Sequence, residues 1–291
     1  MTAGPGCGEL LGDEALERSA VVANCAMNRE RQLAGVNSYA RELGFDPLRE
    51  VTARIGGSGP EQGGTAAWLD LCCGSGRALV QAARQVNRAG LAGQVVLTGV
   101  DLVDAFDKAP GPAAGLELVC APAAAWEPAR SFDLITCVHG LHYIGDKLAL
   151  LTRAASWLTA TGRLVADLDL AAVRVGGPAA DRRLRSRLQA AGFAYSSRRH
   201  QITCTGRRDV RLPYAYLGAD DRAGPGYTGQ PAVTSYYTET PDTCPPRTRP
   251  QAHATARLTQ DERLLYARTA THTPAVRGGL PFVQPDPQHR T

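Results

Sequence analysis

Short apolar runs separated by longer stretches of mixed polarity set the pattern of this chain. The runs fall at 67–71, 94–100, 116–119, 132–138 and 162–168, each rich in apolar or β-branched residues and bounded by glycine, an acid or a turn. Runs of that length read as buried strands. Between them, apolar residues recur at helical spacing over 76–89, over 146–158 with leucines at 148, 150, 151 and 158, and over 179–191. Strands alternating with helices predict an α/β fold built on a doubly wound, mostly parallel sheet with right-handed crossovers. Ligands of such sheets lie beyond the carboxyl ends of the strands, here the first, second and fourth.

The pattern changes at both ends. From 14 to 54 it is helical with a break, and Asn37 or Ser38 caps a helix that Gly44 ends. Asn28, Arg29, Arg31, Asn37 and Tyr39 give this segment more polar groups than a packing helix needs, and caps and solvated faces account for them as well as a binding site does. Glycines at 56, 57, 59, 63 and 64 read as a flexible linker. After the helix at 179–191, paired strands are expected near 195–205 and 208–214. A glycine- and proline-rich segment then runs to Pro231, and loops of that length are functional or disordered. Beyond Tyr237 the Pro-, Thr- and Arg-rich tail reads as disordered, apart from a short helix signalled by Thr259 and Glu262 as a capping box.

Composition narrows the class. A hydrophobic fraction of 44% over 291 residues supports a substantial core, and the formal charge of +4 is too mild for a nucleic-acid surface. Arginine pairs at 182–183, 198–199 and 207–208 read as solvated faces. Eight cysteines occur without a C-x-x-C pair, so no metal site is expected. The start of the chain has no basic stretch followed by an apolar run, and no stretch of about eighteen apolar residues occurs. Neither a signal peptide nor a membrane span is expected, and a cytoplasmic location follows.

The chemistry concentrates where the first strand ends. Asp70 closes that strand, Cys72, Gly74, Ser75 and Gly76 make a small-residue turn, and a helix opens after it. Free amides at a helix start meet the polar groups of a ligand. A dinucleotide loop needs a third glycine, and here Arg77, Ala78 and Leu79 follow Gly76; the Lys-Ser/Thr pair of a P-loop is also missing. An acid before the turn repels a pyrophosphate and suits a cationic head group. At the tip of the second strand Asp101 is placed to bind a ribose diol, with Leu102 beside it for an adenine face.

Asp70, Gly74 and Gly76, with the second acid Asp101, make this stretch resemble motif I of the class I, Rossmann-like S-adenosylmethionine (SAM)-dependent methyltransferases, of the bacterial small-molecule type. Cys72 stands where the family has its first glycine. Phe132–Ile135, Leu141-His142-Tyr143 and Thr161–Leu164 extend the resemblance to about residue 168. It implies a seven-stranded sheet with an antiparallel final pair, S-adenosyl-L-methionine as cofactor, and Ala121 and Val138 on the cofactor's walls. It further implies an N-terminal helical lid with linker over 1–64, a cofactor-binding core over 65–216, and a loop and largely disordered tail over 217–291. The acid expected after strand three is absent: Cys120-Ala121-Pro122-Ala123 stands there. With no Asn/Asp-Pro-Pro-Tyr after strand four, an amide or adenine-amino acceptor is disfavoured.

Methyl transfer needs alignment, and a base only where the acceptor must lose a proton. His139, His142 and Tyr143 stand just past strand four and are the catalytic candidates, His139 first among them. Arg31, Asn37 and Tyr39 from the lid and Tyr227 from the late loop are the candidates for binding substrate. The expected acceptor is a small molecule with an oxygen or nitrogen nucleophile. The alternatives are an RNA or protein methyltransferase and a SAM-binding protein without transfer activity.

Overall fold

The computed structural model describes residues 10–23, 31–56, 64–107, 115–176 and 180–241. The expected disorder of the first residues, the 57–63 part of the linker, Asn28, Arg29 and the tail beyond 241 lie outside these.

Three short helices precede the sheet: α1 (Asp13–Glu17), α2 (Tyr39–Leu43) and α3 (Pro47–Thr52). Ser38 caps α2, accepting from Arg41 N at 3.3 Å, and Gly44 ends it with φ +77° in the left-handed region that glycine tolerates. Asp46 caps α3 through Leu48 N and Arg49 N, with Pro47 preset at the first turn.

The sheet then builds as strands and helices alternate: β1 (Ala66–Leu71), α4 (Arg77–Arg88), β2 (Val95–Asp101), β3 (Leu116–Cys120), β4 (Phe132–Cys137), α5 (Lys147–Ser156) and β5 (Leu158–Asp167). After a short β6 (Val173–Val175) and α6 (Ala180–Ala190) come β7 (Phe193–Ser196) and β8 (Gln201–Thr205). The seven strands lie in the order β3-β2-β1-β4-β5-β8-β7. β1 to β5 pair in parallel, and β8 runs antiparallel to both neighbours. Alternation in β1 shows the two cores. Ala67, Leu69 and Leu71 face α5 and α6, while Ala66 and Trp68 face α2, α3 and α4. The strand order reverses between β1 and β4, so a crevice opens there beyond the carboxyl ends.

Two expectations about the late chain are corrected. The final antiparallel pair lies wholly within 193–205, because the chain turns back at 197–200; residues 208–213 form no strand. The region after 213 also holds more structure than a loop and tail: β9 (Tyr214–Asp220) and β10 (Thr234–Glu239) join β6 in a second sheet, order β6-β10-β9. Val233 N donates to His142 O at 2.8 Å, and Lys147 Nζ donates to Val233 O and Ser235 Oγ. This sheet therefore holds the turn after β4 and the start of α5.

Candidate functional site

Beyond the tips of β1, β2 and β4 lies a cleft with about 1190 Å³ of empty space, its open mouth included. The turn after β1 forms its floor. Cys72 and Gly74 both adopt left-handed backbone, φ +57° and +62°. Cys72 thus keeps the glycine conformation of the position it fills, a strain of roughly 1–2 kcal/mol for an L-residue. Gly140 makes room for its side chain: a Cβ on Gly140 would sit 2.4 Å from Cys72 Cβ and 2.7 Å from Cys137 Sγ.

Asp101 locks the turn to the tip of β2. Its Oδ2 accepts from Gly74 N at 2.8 Å and its Oδ1 from Val103 N at 3.1 Å. The carboxylate is thereby fixed on the cleft wall, beside Leu102 and opposite Val138. Arg31 and Tyr39 reach the wall from the N-terminal segment, and Pro122, Ala123 and Ala124 from the loop after β3.

The structure separates the other expected cofactor residues from the cleft. Asp70 is a correction: it lies under the wall at 1% exposure, with Oδ2 accepting from Tyr39 OH and Oδ1 from Thr136 Oγ1, each at 2.6 Å. Burial pushes its carboxyl up to about 7, against the pull of those hydrogen bonds. Its place in the even-numbered face of β1 turns it away from the ligand, so it anchors Tyr39 instead of meeting a cationic head. Ser75 is buried behind the turn, where its carbonyl accepts from Asp107 N at 2.7 Å. Gly76 is pressed by Leu118, 2.9 Å from where a Cβ would stand. Ala121 lies beside the wall, tied by its N–H to Asp101 O at 2.9 Å. Asn37 is exposed away from the cleft, its carbonyl accepting from Gln32 N at 2.9 Å. Trp126, after the β3 loop, packs edge-on against Trp157 at 5.8 Å.

The other end of the cleft holds the catalytic candidates. His139 follows β4 with φ +57°, and its backbone N–H donates to Asp167 Oδ2 at 3.0 Å. Its Nε2 stands 3.3 Å from Glu42 Oε2 and 3.8 Å from Asp167 Oδ2. The hydrogen bond to His139 is the chief cause that holds Glu42 below the usual carboxylate range, whereas burial raises Asp167. The Nδ1 of His139 lies 3.5 Å from Tyr227 OH. His142 stacks under it at 5.6 Å between ring centres. Burial drives His142 down to about 4, and its buried Nε2 has no hydrogen-bond partner among the described residues. That ring stays neutral and serves as packing. Tyr143 lies on the cleft wall.

Tyr227 sits over these rings, stacked on His200 at 4.0 Å and 9° and with its N–H on Asp169 Oδ2 at 3.3 Å. Glu42, Asp167 and His200 were absent from the sequence reading. Asp167 had a signal, as the third acid at the carboxyl end of a parallel strand after Asp70 and Asp101. Glu42 and His200 had none, since only the fold brings 42, 139 and 200 together.

Among the described residues no group of His, Cys, Asp and Glu is placed to hold a metal ion, and no helix is long and apolar enough to cross a membrane. The cleft fits the group that motif I implies. Asp101 offers fixed acceptor oxygens to a diol. Arg31, whose buried Nε has no hydrogen-bond partner among the described residues and lies 3.9 Å from Glu42, offers a cation to a carboxylate. A seven-stranded sheet with the β1 turn and the β2 acid on one cleft defines a class I SAM-dependent methyltransferase fold.

Residues 39–204 match the model of a family described as a methyltransferase domain, which is more than half of the chain. The chain belongs to this methyltransferase family. No curated protein matches in a sequence search. Solved structures that resemble it include StiE O-MT residues 961–1257 (20% identity, 41% of this chain and 42% of that one, TM-score 0.31). They also include phosphoethanolamine N-methyltransferase 1 of Haemonchus contortus (17%, 35% and 22%, TM-score 0.30). A third is the N-methyltransferase NodS of Bradyrhizobium japonicum WM9, bound to S-adenosyl-L-homocysteine (18%, 64% and 100%, TM-score 0.32). The chain spans less than half the length of the first two.

Proposed function

We propose that this protein transfers a methyl group from S-adenosylmethionine to an oxygen or nitrogen nucleophile of a small molecule, with His139 as general base. One observation carries the reading: a single cleft joins the Asp101–Gly74 turn at one end to His139, held by two carboxylates, at the other. Bound in that cleft, the cofactor supplies a methyl group already activated on a sulfonium. The chain's part is to hold the partners in line and to take a proton. Asp101 would hold the ribose, Leu102 and Val138 the flanks, and Arg31 the carboxylate of the amino-acid end.

With Nε2–H turned to Glu42, the lone pair of His139 is on Nδ1. That atom accepts the proton of an acceptor hydroxyl or ammonium, and Glu42 and Asp167 stabilise the imidazolium that forms. His142, held neutral by burial, is too weak a base for the task. Tyr227 now covers Nδ1, so acceptor entry displaces its hydroxyl or takes its place in the hydrogen bond. A small acceptor is supported by the wall charges: Asp13, Asp101 and the partly ionised Glu17 line the cleft with Arg31, an excess of acid that repels a phosphate backbone. The same excess suits a cofactor of net positive charge.

Calorimetric titration with SAM and S-adenosylhomocysteine tests the cofactor half, beside Asp101→Ala checked for native circular dichroism. Loss of the ribose contacts should weaken binding roughly ten- to a hundredfold. Labelled-methyl transfer to a panel of alcohols, phenols and amines tests the acceptor half. Absence of cofactor binding would sink the reading. Cofactor binding with transfer only to RNA or protein would replace the small-molecule acceptor by the alternative.

A further inference from the structure

The cleft has an unexplained carboxylate. Glu17 lies on the wall, one residue after Leu16, and Leu16 belongs to the apolar cluster against which Leu102 and Tyr143 pack. It lines the same cleft as Asp101, Leu102, Pro122, Ala123 and Ala124. The neighbouring cation Arg18 makes its ion pair with Glu14 at 2.9 Å, though its charge still acts on Glu17. Among the described residues no hydrogen-bond partner holds Glu17.

The opposite wall lacks what a purine amino group needs. The loop after β3 offers only alanine and proline side chains at 121–125. Two of its five carbonyls are taken as well. Pro122 O accepts from Ala125 N and Trp126 N, both at 3.0 Å, and Ala124 O accepts from Arg153 Nη1. A base bound against Leu102 would leave its exocyclic amine without a side-chain acceptor from this loop, and a buried donor left unpaired costs roughly 1–3 kcal/mol.

We propose that Glu17, from the N-terminal helix α1, is the acceptor that recognises the exocyclic amino group of the cofactor's adenine. This rests on the cofactor reading above and assigns selectivity for adenine to a part of the chain outside the sheet. Burial, with the neighbouring charges of Asp13 and Glu14, pushes the Glu17 carboxyl up to about 7, as suits a half-buried acid among other acids. In either protonation state one oxygen accepts from the amine. The protonated form can in addition donate to a ring nitrogen.

The test is calorimetry with two ligands, S-adenosylhomocysteine and S-inosylhomocysteine, which carries a carbonyl oxygen where adenine has its amine. Wild type should prefer the adenosyl ligand by roughly tenfold or more. In Glu17→Leu that preference should fall toward one, through weaker binding of the adenosyl ligand. Glu17→Gln, which retains an acceptor oxygen in the same place, should keep most of it. The neighbouring acid on the wall is the control: Asp13→Asn should leave the preference unchanged. A preference intact in Glu17→Leu, or one lost in Asp13→Asn instead, overturns the assignment while the cofactor reading stands. Failure of wild type to bind either ligand overturns both.

Discussion

The Tyr39 hydroxyl donates to Asp70 Oδ2 at 2.6 Å, with both side chains all but closed to solvent. Thr136 Oγ1 donates to the other oxygen and itself accepts from Trp68 Nε1 at 2.8 Å, so a chain of four side chains runs from β1 and β4 to α2. It fixes the start of α2, and Glu42 stands one turn further along that helix. Tyr39→Phe removes one of the two donors to a buried carboxyl and should destabilise the fold by about 1–3 kcal/mol. Urea unfolding measures it, and a variant as stable as wild type would show that Thr136 alone satisfies Asp70.

Asp70 also makes stability depend on pH. Its folded value of about 7 lies above the ordinary aspartate value of 3.8. A raised acid binds its proton more tightly when folded, so its contribution is fully present below the unfolded value and is lost as pH rises through about 7. Asp70→Asn, which cannot ionise, should therefore gain on wild type between about pH 4 and 7 at roughly 1 kcal/mol per pH unit. Urea midpoints of the two proteins that stay parallel across this range would mean that Asp70 remains ionised in the fold.

At the far end of the cleft, His139→Ala should lower kcat roughly a hundredfold or more, the usual range for a general base. Cofactor affinity should hold, because Asp101 and the β1 turn are untouched. Glu42→Gln keeps the shape and removes the charge that steadies the imidazolium, so kcat should fall by a smaller factor with KM for the acceptor little changed. Steady-state kinetics with an acceptor identified by screening decides this. A His139→Ala enzyme with undiminished kcat would mean that the acceptor needs no base.

The five parallel strands of the seven-stranded sheet were legible because each is an apolar run that ends at an acid or turn, whereas the final pair was misplaced. Asp101 closes β2 where its run stops, and Asp70 stands one residue before the end of β1. The second sheet was not. β9 and β10 are separated by Gly224, Pro225, Gly226, Gly229 and Pro231, a composition that reads as loop, and their partner β6 lies nearly sixty residues before β10. The sequence led to one side of the proposed site, where one short stretch brings Cys72 and Gly74 and one strand tip brings Asp101 to the cleft. Its acceptor half gathers Glu42, His139, Asp167, His200 and Tyr227 from five separate segments, and no local spacing records that. Asp70 misled because an acid at a strand end has two faces to choose from, and the pleat turned it toward Tyr39.

Cys72 and Gly140 should behave as a coupled pair. Gly140→Ala would place a methyl 2.4 Å from Cys72 Cβ and should displace the turn, at a cost of roughly 1–3 kcal/mol. Cys72→Gly relieves the left-handed strain at φ +57° but loosens the unfolded chain, and these effects offset to within about 1 kcal/mol. In the double variant the closest clash partner is gone and only Cys137 Sγ remains near the methyl, so Cys72→Gly should recover most of the stability that Gly140→Ala loses. Additive losses in the thermal unfolding of the three variants would show that Cys137, 2.7 Å from the same methyl, is the real obstacle.

Lys147 gives the second sheet its own pH signature. At 1% exposure, the first residue of α5 sends Nζ to Ile144 O and Val233 O at 2.8 Å and to Ser235 Oγ at 2.7 Å. All three partners are neutral, and burial pulls the amine down to about 7 from 10.5. A base whose folded value is depressed sheds its proton on folding. Its contribution is present above the unfolded value and is lost as pH falls through about 7. Wild type should accordingly gain on Lys147→Met between about pH 7 and 10, by roughly 1 kcal/mol per pH unit. Ionisation of buried thiols and tyrosines at the alkaline end affects both proteins alike, so the difference between their urea midpoints isolates the lysine. Lys147→Met should also loosen β10 from α5, seen as faster amide exchange at Val233 and Ser235. A constant difference between the midpoints with fast exchange at those amides would mean that the three hydrogen bonds hold a charged ammonium without penalty. A constant difference with slow exchange would mean that the apolar packing of Tyr237 and Val233 alone keeps the second sheet in place.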